Sequence, residues 1–179
     1  MPSIVHEIYI EAPIRICFDL ARDVDIHMET ASRTKEKAIA GVLSGRMEKG
    51  DEVTWEAVHF GRKQQLTARI IDMEKPYRFN DAMVKGAFHS FIHTHEFSES
   101  GSGTLMKDKF VYKSPLGILG KLADKLFLAA YMEHFIVDRA VALKNKAEQM
   151  ENEWMEAMKK SNFPTGNGGI DIEQSIDQA

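Results

Sequence analysis

Hydrophobic and polar residues alternate with a period of two over much of the first 113 residues, which is the pattern of strands with one buried face. The first such run is residues 3–11, SIVHEIYIE. Six further candidate strands follow, at residues 38–47, 53–61, 65–73, 78–88, 90–97 and 104–113. Glycine and proline lie in the short breaks between them, as in tight turns, so we expect antiparallel neighbours.

Helical spacing replaces this alternation in three places. Pro13 precedes a short apolar pattern at residues 14–22, and a second short helix fits within residues 24–34. After the last strand, Ser114 and Pro115 form an N-cap and first-turn pair that begins a long helix extending to about Lys160. Its predicted apolar face comprises Leu119, Leu122, Ala123, Leu126, Ala130, Phe135 and Val137.

The order of these elements predicts one α+β domain. A seven-stranded curved antiparallel sheet would wrap around the long C-terminal helix, with two short helices between strands 1 and 2. We expect residues 1–160 to form this domain and residues 161–179 to be a disordered tail. Past residue 145 the helix keeps an apolar stripe through Ala147, Met150, Trp154 and Met158. This stripe would cover the sheet. Alternatively, it would pack against a sheet edge or against a second copy of the protein in a homodimer.

Strand parity indicates which side chains face inward. In SFIHTHEF, residues 90–97, one face carries two histidines between two phenylalanines, while the other carries Glu96 and two hydroxyl groups and so belongs outside. The same reasoning applied to the other strands, together with the apolar face of the helix, gives a set of residues expected to line an internal cavity. This set is Trp55, His59, Asp81, Met83, Phe91, His93, His95, Met106, Asp108, Tyr112, Leu122 and Leu126, with Ala130 nearby.

The inward-facing acids need partners, because an unpaired buried carboxylate is costly. We therefore predict that Asp81 or Asp108 lies within hydrogen-bond reach of His59, His93 or His95. The polar groups could form a ligand site or a structural network that fixes strand register. His93 and His95, with His59 as a third imidazole, could also hold a metal.

Composition narrows the functional classes. The chain has 179 residues, 44% hydrophobic and 28% charged, and 27 acidic against 23 basic side chains give a net charge of −4. Nucleic-acid binding is disfavoured, since no basic excess is present. We expect a cytoplasmic protein without stable membrane insertion, because no leader pattern or long apolar run occurs. A single cysteine, Cys17, agrees with a reducing compartment, and its apolar neighbours disfavour a nucleophilic role.

Three runs of sequence carry a family resemblance: residues 50–61 (GDEVTWEAVHFG), residues 78–97 (RFNDAMVKGAFHSFIHTHEF) and the SPLG and LADKLFL segments of 114–128. They resemble the START-related SRPBCC superfamily, which includes polyketide cyclase/dehydrase-like proteins. The resemblance implies the helix-grip fold and an internal cavity for a hydrophobic ligand. It implies no metal, and we expect no cofactor. The wider superfamily includes carriers, hormone receptors and cyclases, so the fold alone does not select a chemistry.

Three functions are therefore considered. The first is binding or carrying an amphipathic small molecule, such as a lipid, a quinone or an aromatic polyketide-like compound. The second is a cyclase or dehydratase in which a histidine acts as general base beside a carboxylate, with His93, His95 and Asp108 as the catalytic candidates. The third is a protein-interaction role of the C-terminal helix. The first is preferred, because polar groups in an apolar setting are present but no nucleophile–base spacing demands catalysis.

Overall fold

A computed structural model describes residues 1–31, 34–59, 61–114 and 127–161. The strands are β1 (Ser3–Ile10), β2 (Lys37–Gly41), β3 (Glu52–His59), β4 (Arg62–Glu74), β5 (Arg78–Lys85), β6 (Ser90–Ser100) and β7 (Gly103–Lys113). The helices are α1 (Ile14–Ala21), α2 (Val24–Thr30) and α3 (Ala129–Lys160). The predicted α+β class, the seven strands and the two short helices between the first two strands are confirmed.

All seven strands form one antiparallel, curved sheet in the order β1-β7-β6-β5-β4-β3-β2. Sequential strands are neighbours except that β1 pairs with β7. The tight connection between β3 and β4 contains Gly61 at φ +73°, a left-handed conformation that glycine adopts without steric cost. Irregular pairing between β4 and β5 shifts the register twice, at Thr67/Ala68 and Ile70/Asp72. Such bulges increase local twist, which helps a sheet curve around a helix.

The short helices form for local reasons. Pro13 immediately precedes α1, whose apolar side is buried. Asp23 caps α2, because its carboxylate accepts hydrogen bonds from the backbone N–H groups of Asp25 and Ile26. Strand β2 is shorter than predicted: the alternation suggested residues 38–47, but pairing ends at Gly41. Beyond it, Arg46 forms an isolated bridge with Asp23.

Helix α3 packs against β1, α1 and α2. Its buried residues are Met132, Ile136, Ala140, Leu143 and Ala147, at spacings of three and four. The prediction of Ala130 on the inner face is wrong, because that residue is exposed. The predicted helical segment at residues 115–126, including Leu119, Leu122, Ala123 and Leu126, lies outside the described residues. The predicted end at Lys160 agrees with the structure.

The apolar stripe of α3 leaves the sheet after Ala147. Met150 and Trp154 are 40% and 46% exposed, so the expectation that this stripe covers the sheet is wrong for these two residues, whereas Met158 is half-buried. A homodimer through this surface stays a prediction. No helix in the described part of the chain has the length and apolar character needed to span a membrane.

Two hydrophobic clusters make up the core. One joins α1 to the middle of α3 and to Phe79, Phe97 and Met106 of the sheet. The other lies around Phe91, Phe110, Tyr112, Met132 and Ile136. Between them, on the inner face of the sheet, lie buried polar side chains of β5, β6 and β7. This position between two apolar clusters is where the candidate site forms.

Candidate functional site

A cavity of about 330 Å³ lies between the inner face of the sheet and α3. Its wall is mainly apolar and aromatic: Trp55, Ala57, Leu66, Ala68, Ala87, Phe88, Phe91, Phe110, Phe127, Leu128, Met132 and Phe135. Polar side chains from both the sheet and the helices complete it: His27, Glu36, His59, Gln64, Gln65, Asp81, His93, Tyr131 and Arg139. Mixed lining of this kind, with a few polar groups in an apolar wall, is typical of small-molecule sites.

The structure distributes the predicted lining residues over several places. Trp55, His59, Asp81, Phe91 and His93 border the 330 Å³ cavity. His95 borders an adjoining void of about 70 Å³, to which Asp81 and His93 also contribute. Met106 and Asp108 border a void of about 20 Å³ against α3.

Other predicted residues are not part of these walls. Tyr112 is completely buried in the cluster around Phe91 and Phe110, and Met83 packs against the same cluster. Parity assigned both to the inner face, where the rings of Phe88 and Phe110 contact Tyr112. Leu122 and Leu126 lie outside the described residues, so their place in the lining stays a prediction.

A chain of ionisable groups crosses three neighbouring strands, and three of its four members, His93, His95 and Asp108, are buried. Asp81 on β5 pairs with His93 on β6, and His95 pairs with Asp108 on β7. His95 Nδ1 lies 2.6 Å from Asp108 Oδ1, and His95 Nε2 lies 3.3 Å from Asp81 Oδ1. His93 Nε2 is 3.4 Å from Asp108 Oδ1. The predicted proximity of histidine and aspartate is therefore present.

The two histidines have opposite electrostatic environments. Burial lowers the pKa of His95, but Asp108 and Asp81 outweigh this effect and raise the pKa to about 9. For His93, burial and the adjacent positive charge of His95 lower the pKa despite the nearby carboxylates. Burial opposes ionisation of Asp108 and Asp81, yet the histidines hold both carboxyl pKa values below their usual range. At neutral pH His95 is charged and His93 is neutral.

A second histidine–carboxylate pair faces this chain from α2. His27 Nε2 contacts Glu36, and its ring stacks on Trp55 with centroids 4.0 Å apart. Thr34 Oγ1 also donates to Glu36, at 3.3 Å. Burial and Arg139 lower the pKa of His27, whereas for Glu36 the neighbouring His27 and Arg139 overcome burial and lower the pKa. Glu36 therefore already has two partners.

Arg139 of α3 extends into this polar region without an acceptor of its own. Within residues 1–31, 34–59, 61–114 and 127–161, no side chain or carbonyl forms a hydrogen bond or ion pair with its guanidinium, and its Nε atom is shielded from solvent. It borders both the 330 Å³ cavity and the 70 Å³ void. A ligand in the cavity could supply the missing acceptor.

Comparison with solved structures identifies the architecture. The chain is similar to the Thermus thermophilus protein TTHA0849, with 22% identity and a TM-score of 0.69 over 82% of this chain and 97% of that one. It is also similar to a START superfamily protein from Mycobacterium smegmatis, with 14% identity and a TM-score of 0.64 over 83% and 98% of the two chains. Ginseng (Panax ginseng) major latex-like protein 151 has 10% identity and a TM-score of 0.62, covering 82% and 97%.

The chain has the helix-grip fold. No family model matches it, and no curated protein matches it by sequence. At these identities the solved structures establish the shape of the molecule. The helix-grip fold does not define the function of this protein, which depends on the side chains of its site.

Several polar residues of the site were absent from the predicted set: His27, Glu36, Tyr131 and Arg139. One signal was available for Arg139, since it follows Ile136 by three and precedes Leu143 by four and so shares the buried face of α3. His27 and Glu36 come from a polar stretch without periodicity. His27 and Glu36 reach the cavity only because α2 packs against the rest of the domain.

Cys17 takes no part in the site. It is fully buried in the cluster under α1, and burial raises the pKa of its thiol to about 11. A thiol so protected from ionisation is a poor nucleophile at neutral pH. Its chemistry agrees with the packing role inferred from its apolar neighbours.

Proposed function

We propose that this protein binds or carries an amphipathic small molecule in the cavity between the sheet and α3. The apolar body of the ligand would contact Trp55, Phe91 and the other aromatic walls. Its polar end would place a hydrogen-bond acceptor, such as a carboxylate or a carbonyl, against Arg139. Lipids, quinones and aromatic polyketide-like compounds all combine an apolar body with a polar end.

One observation carries the proposal: an apolar cavity borders a guanidinium whose charged neighbours are already occupied. Asp81 is within 3.3 Å of His95, and Glu36 contacts His27 and Thr34. The shielded Nε donor of Arg139, which has no acceptor among the described residues, therefore favours an acceptor from a ligand. A planar guanidinium pairs especially well with carboxylates, in a two-bond geometry.

A cavity-filling variant tests this proposal. Ala57 is buried and borders the cavity, whereas Ala82 of β5 pairs with Ile92, which is exposed on the outer face of the sheet. Ala57→Leu should reduce the affinity for a hydrophobic fluorophore at least about tenfold, because the added side chain occupies ligand volume. Ala82→Leu is the matched control, since it adds the same side chain on the outer face of the sheet, and it should bind as the wild type does.

The ligand itself can be sought by native mass spectrometry on untagged protein. Lipids, quinones and aromatic polyketides would then compete against the bound fluorophore. If no co-purified molecule appears, no compound competes, and Ala57→Leu binds the fluorophore unchanged, the cavity is not a ligand site.

A second candidate function is catalysis of the cyclase or dehydratase kind. The observation that favours it is His93, which is neutral at pH 7, borders the cavity and has Asp108 at 3.4 Å. A neutral histidine oriented by a carboxylate can act as general base. His93→Phe should abolish turnover of an aromatic polyketide if the protein is an enzyme, and should change only affinity if it is a carrier.

A further inference from the structure

Asp81, His93 and His95 converge on one point between β5 and β6. One ligand atom from each residue can be chosen so that all three lie within 4.8 Å of one another. All three residues also border the void of about 70 Å³, which is larger than the roughly 30 Å³ that one water occupies in the liquid. The cluster therefore combines three metal-binding side chains with room for an ion.

The contact between Asp81 and His95 is an ion pair in the metal-free protein, and its length also suits two ligands of one metal ion. Asp81 Oδ1 and His95 Nε2 are 3.3 Å apart. A charge-assisted N–H···O bond is normally shorter, about 2.7–2.9 Å. Two donors each about 2.0 Å from a tetrahedral zinc ion are themselves roughly 3.3 Å apart. The observed separation equals that between two ligands of one ion.

The surroundings of His95 resemble an outer coordination shell. Its Nδ1 atom lies 2.6 Å from the Asp108 carboxylate, which leaves Nε2 directed toward Asp81. Its ring also stacks on Phe79, with centroids 4.3 Å apart. In zinc sites a carboxylate on the far nitrogen fixes the orientation of the ligating imidazole. Asp108 is placed to do this here.

We propose that Asp81, His93 and His95 bind a divalent transition-metal ion of the zinc or ferrous-iron class, with Asp108 as the positioning residue. Two nitrogens and one carboxylate oxygen suit such ions better than magnesium or calcium, which prefer all-oxygen ligands. Together, the carboxylates of Asp81 and Asp108 balance the charge of a dication. Asp81 and His93 also border the 330 Å³ cavity, so a molecule bound there could reach an open coordination position.

His59, which the sequence offered as a third imidazole, is not part of this cluster. Its Nδ1 atom is hydrogen-bonded to the Tyr131 hydroxyl at 2.7 Å. It therefore serves as a matched histidine control, in the same cavity but outside the proposed ligand set.

Zinc chloride titrated calorimetrically into tag-free, chelator-treated full-length protein tests the site. The wild type should bind one zinc ion per chain, verified by elemental analysis after dialysis, and His59→Gln should match it. Asp81→Asn and His93→Gln should weaken zinc binding by about 100-fold or more, and Asp108→Asn by about 10- to 100-fold. Excess magnesium chloride should not displace the zinc.

The proposal is wrong if the wild type shows no saturable zinc binding. It is also wrong if Asp81→Asn and His93→Gln keep wild-type affinity, because the ion would then lie elsewhere. Circular dichroism must show that each variant is folded. If a histidine variant does not fold, Asp81→Asn decides the matter alone, since the Asp81 side chain is 21% exposed and its replacement by asparagine preserves its shape.

Discussion

Arg22 and Arg139 both reach the interior of the described part of the protein, and their surroundings differ completely. Arg22, next to α1, is buried, and every nitrogen of its guanidinium has an acceptor. Nε and Nη2 donate to Asp19, and Nη1 donates to Glu48 and to the Met47 carbonyl, at 2.7–3.0 Å. Its guanidinium also lies 5.5 Å from the centroid of the Phe18 ring. This arginine joins α1 to the segment before β3.

Arg139 has no such partners among the described residues, although it borders four voids and its Nε atom is shielded from solvent. The nearby carboxylates are held by histidines instead. A guanidinium whose acceptors come from the protein stabilises the fold. One that lacks them beside an apolar cavity is suited to a ligand, because leaving its donors unsatisfied costs stability. The comparison thus separates a structural arginine from a binding arginine.

Removing Arg22 should produce the largest effect. Arg22→Met deletes all four polar contacts and leaves the partly buried Asp19 with Arg46 at 3.0 Å as a remaining cation. We expect the free energy of unfolding to fall by about 3 kcal/mol, at the low end of values for broken buried ion pairs because Glu48 is half exposed. Urea denaturation measures this change. A loss below about 1 kcal/mol would mean that the paired arginine is not structural.

His95, which borders the same 70 Å³ void as Arg139, should have a smaller and pH-dependent effect on the free energy of unfolding. The pKa of His95 is about 9 in the folded protein and about 6.5 when unfolded. Its stabilising contribution is therefore complete below pH 6.5 and is lost as the pH rises toward 9. Stability of chelator-treated wild type should decline by about 2.5 kcal/mol between pH 6.5 and pH 9. His95→Gln should remove that decline, and an unchanged slope in the variant would show that His95 is not charged by Asp108 and Asp81.

Arg139→Met should have the smallest effect on stability. Methionine keeps an unbranched apolar stem. Removing the guanidinium loses its attraction to Glu36 and Asp81 but also removes a shielded Nε donor that has no acceptor among the described residues, so the free energy of unfolding should change by less than about 1 kcal/mol. The same urea titration applies. A loss comparable to that of Arg22→Met would show that the protein itself satisfies this guanidinium, which would erase the contrast between the two arginines.

The sequence predicted the sheet well because strand alternation is a local signal. The parity of SFIHTHEF placed Phe91, His93, His95 and Phe97 on the inner face, and all four are buried. In β7 the exposed lysines marked the outer face, which left Asp108 inside. Parity fixes the face of a residue once the period is known. Parity does not distinguish inward residues that line a cavity from those that pack against other side chains. For this reason the prediction that Tyr112 and Met83 line the cavity is wrong.

The helical side of the site was harder to predict. Arg139 lies on the buried face of α3, but a long arginine can extend from such a position to solvent, so spacing alone did not assign it. His27 and Glu36 flank the connection from α2 to β2 and meet only in the folded chain. Their pairing depends on tertiary packing that no periodic pattern encodes. The structure therefore adds a hydrogen-bond donor, Arg139, to the residues predicted from the sequence. This donor distinguishes the cavity from a purely apolar one.

One measurement tests most directly whether Arg139 anchors the polar end of a ligand. Two fluorophores share their rings: 1-anilinonaphthalene-8-sulfonate carries an anionic acceptor, and N-phenyl-1-naphthylamine carries none. Fluorescence titration should show that Arg139→Met weakens binding of the sulfonate about 10- to 100-fold, the worth of a charge-assisted hydrogen bond, while the neutral compound binds as before. Equal affinities of wild type and variant for the sulfonate would contradict the account, even if both compounds bind in the cavity.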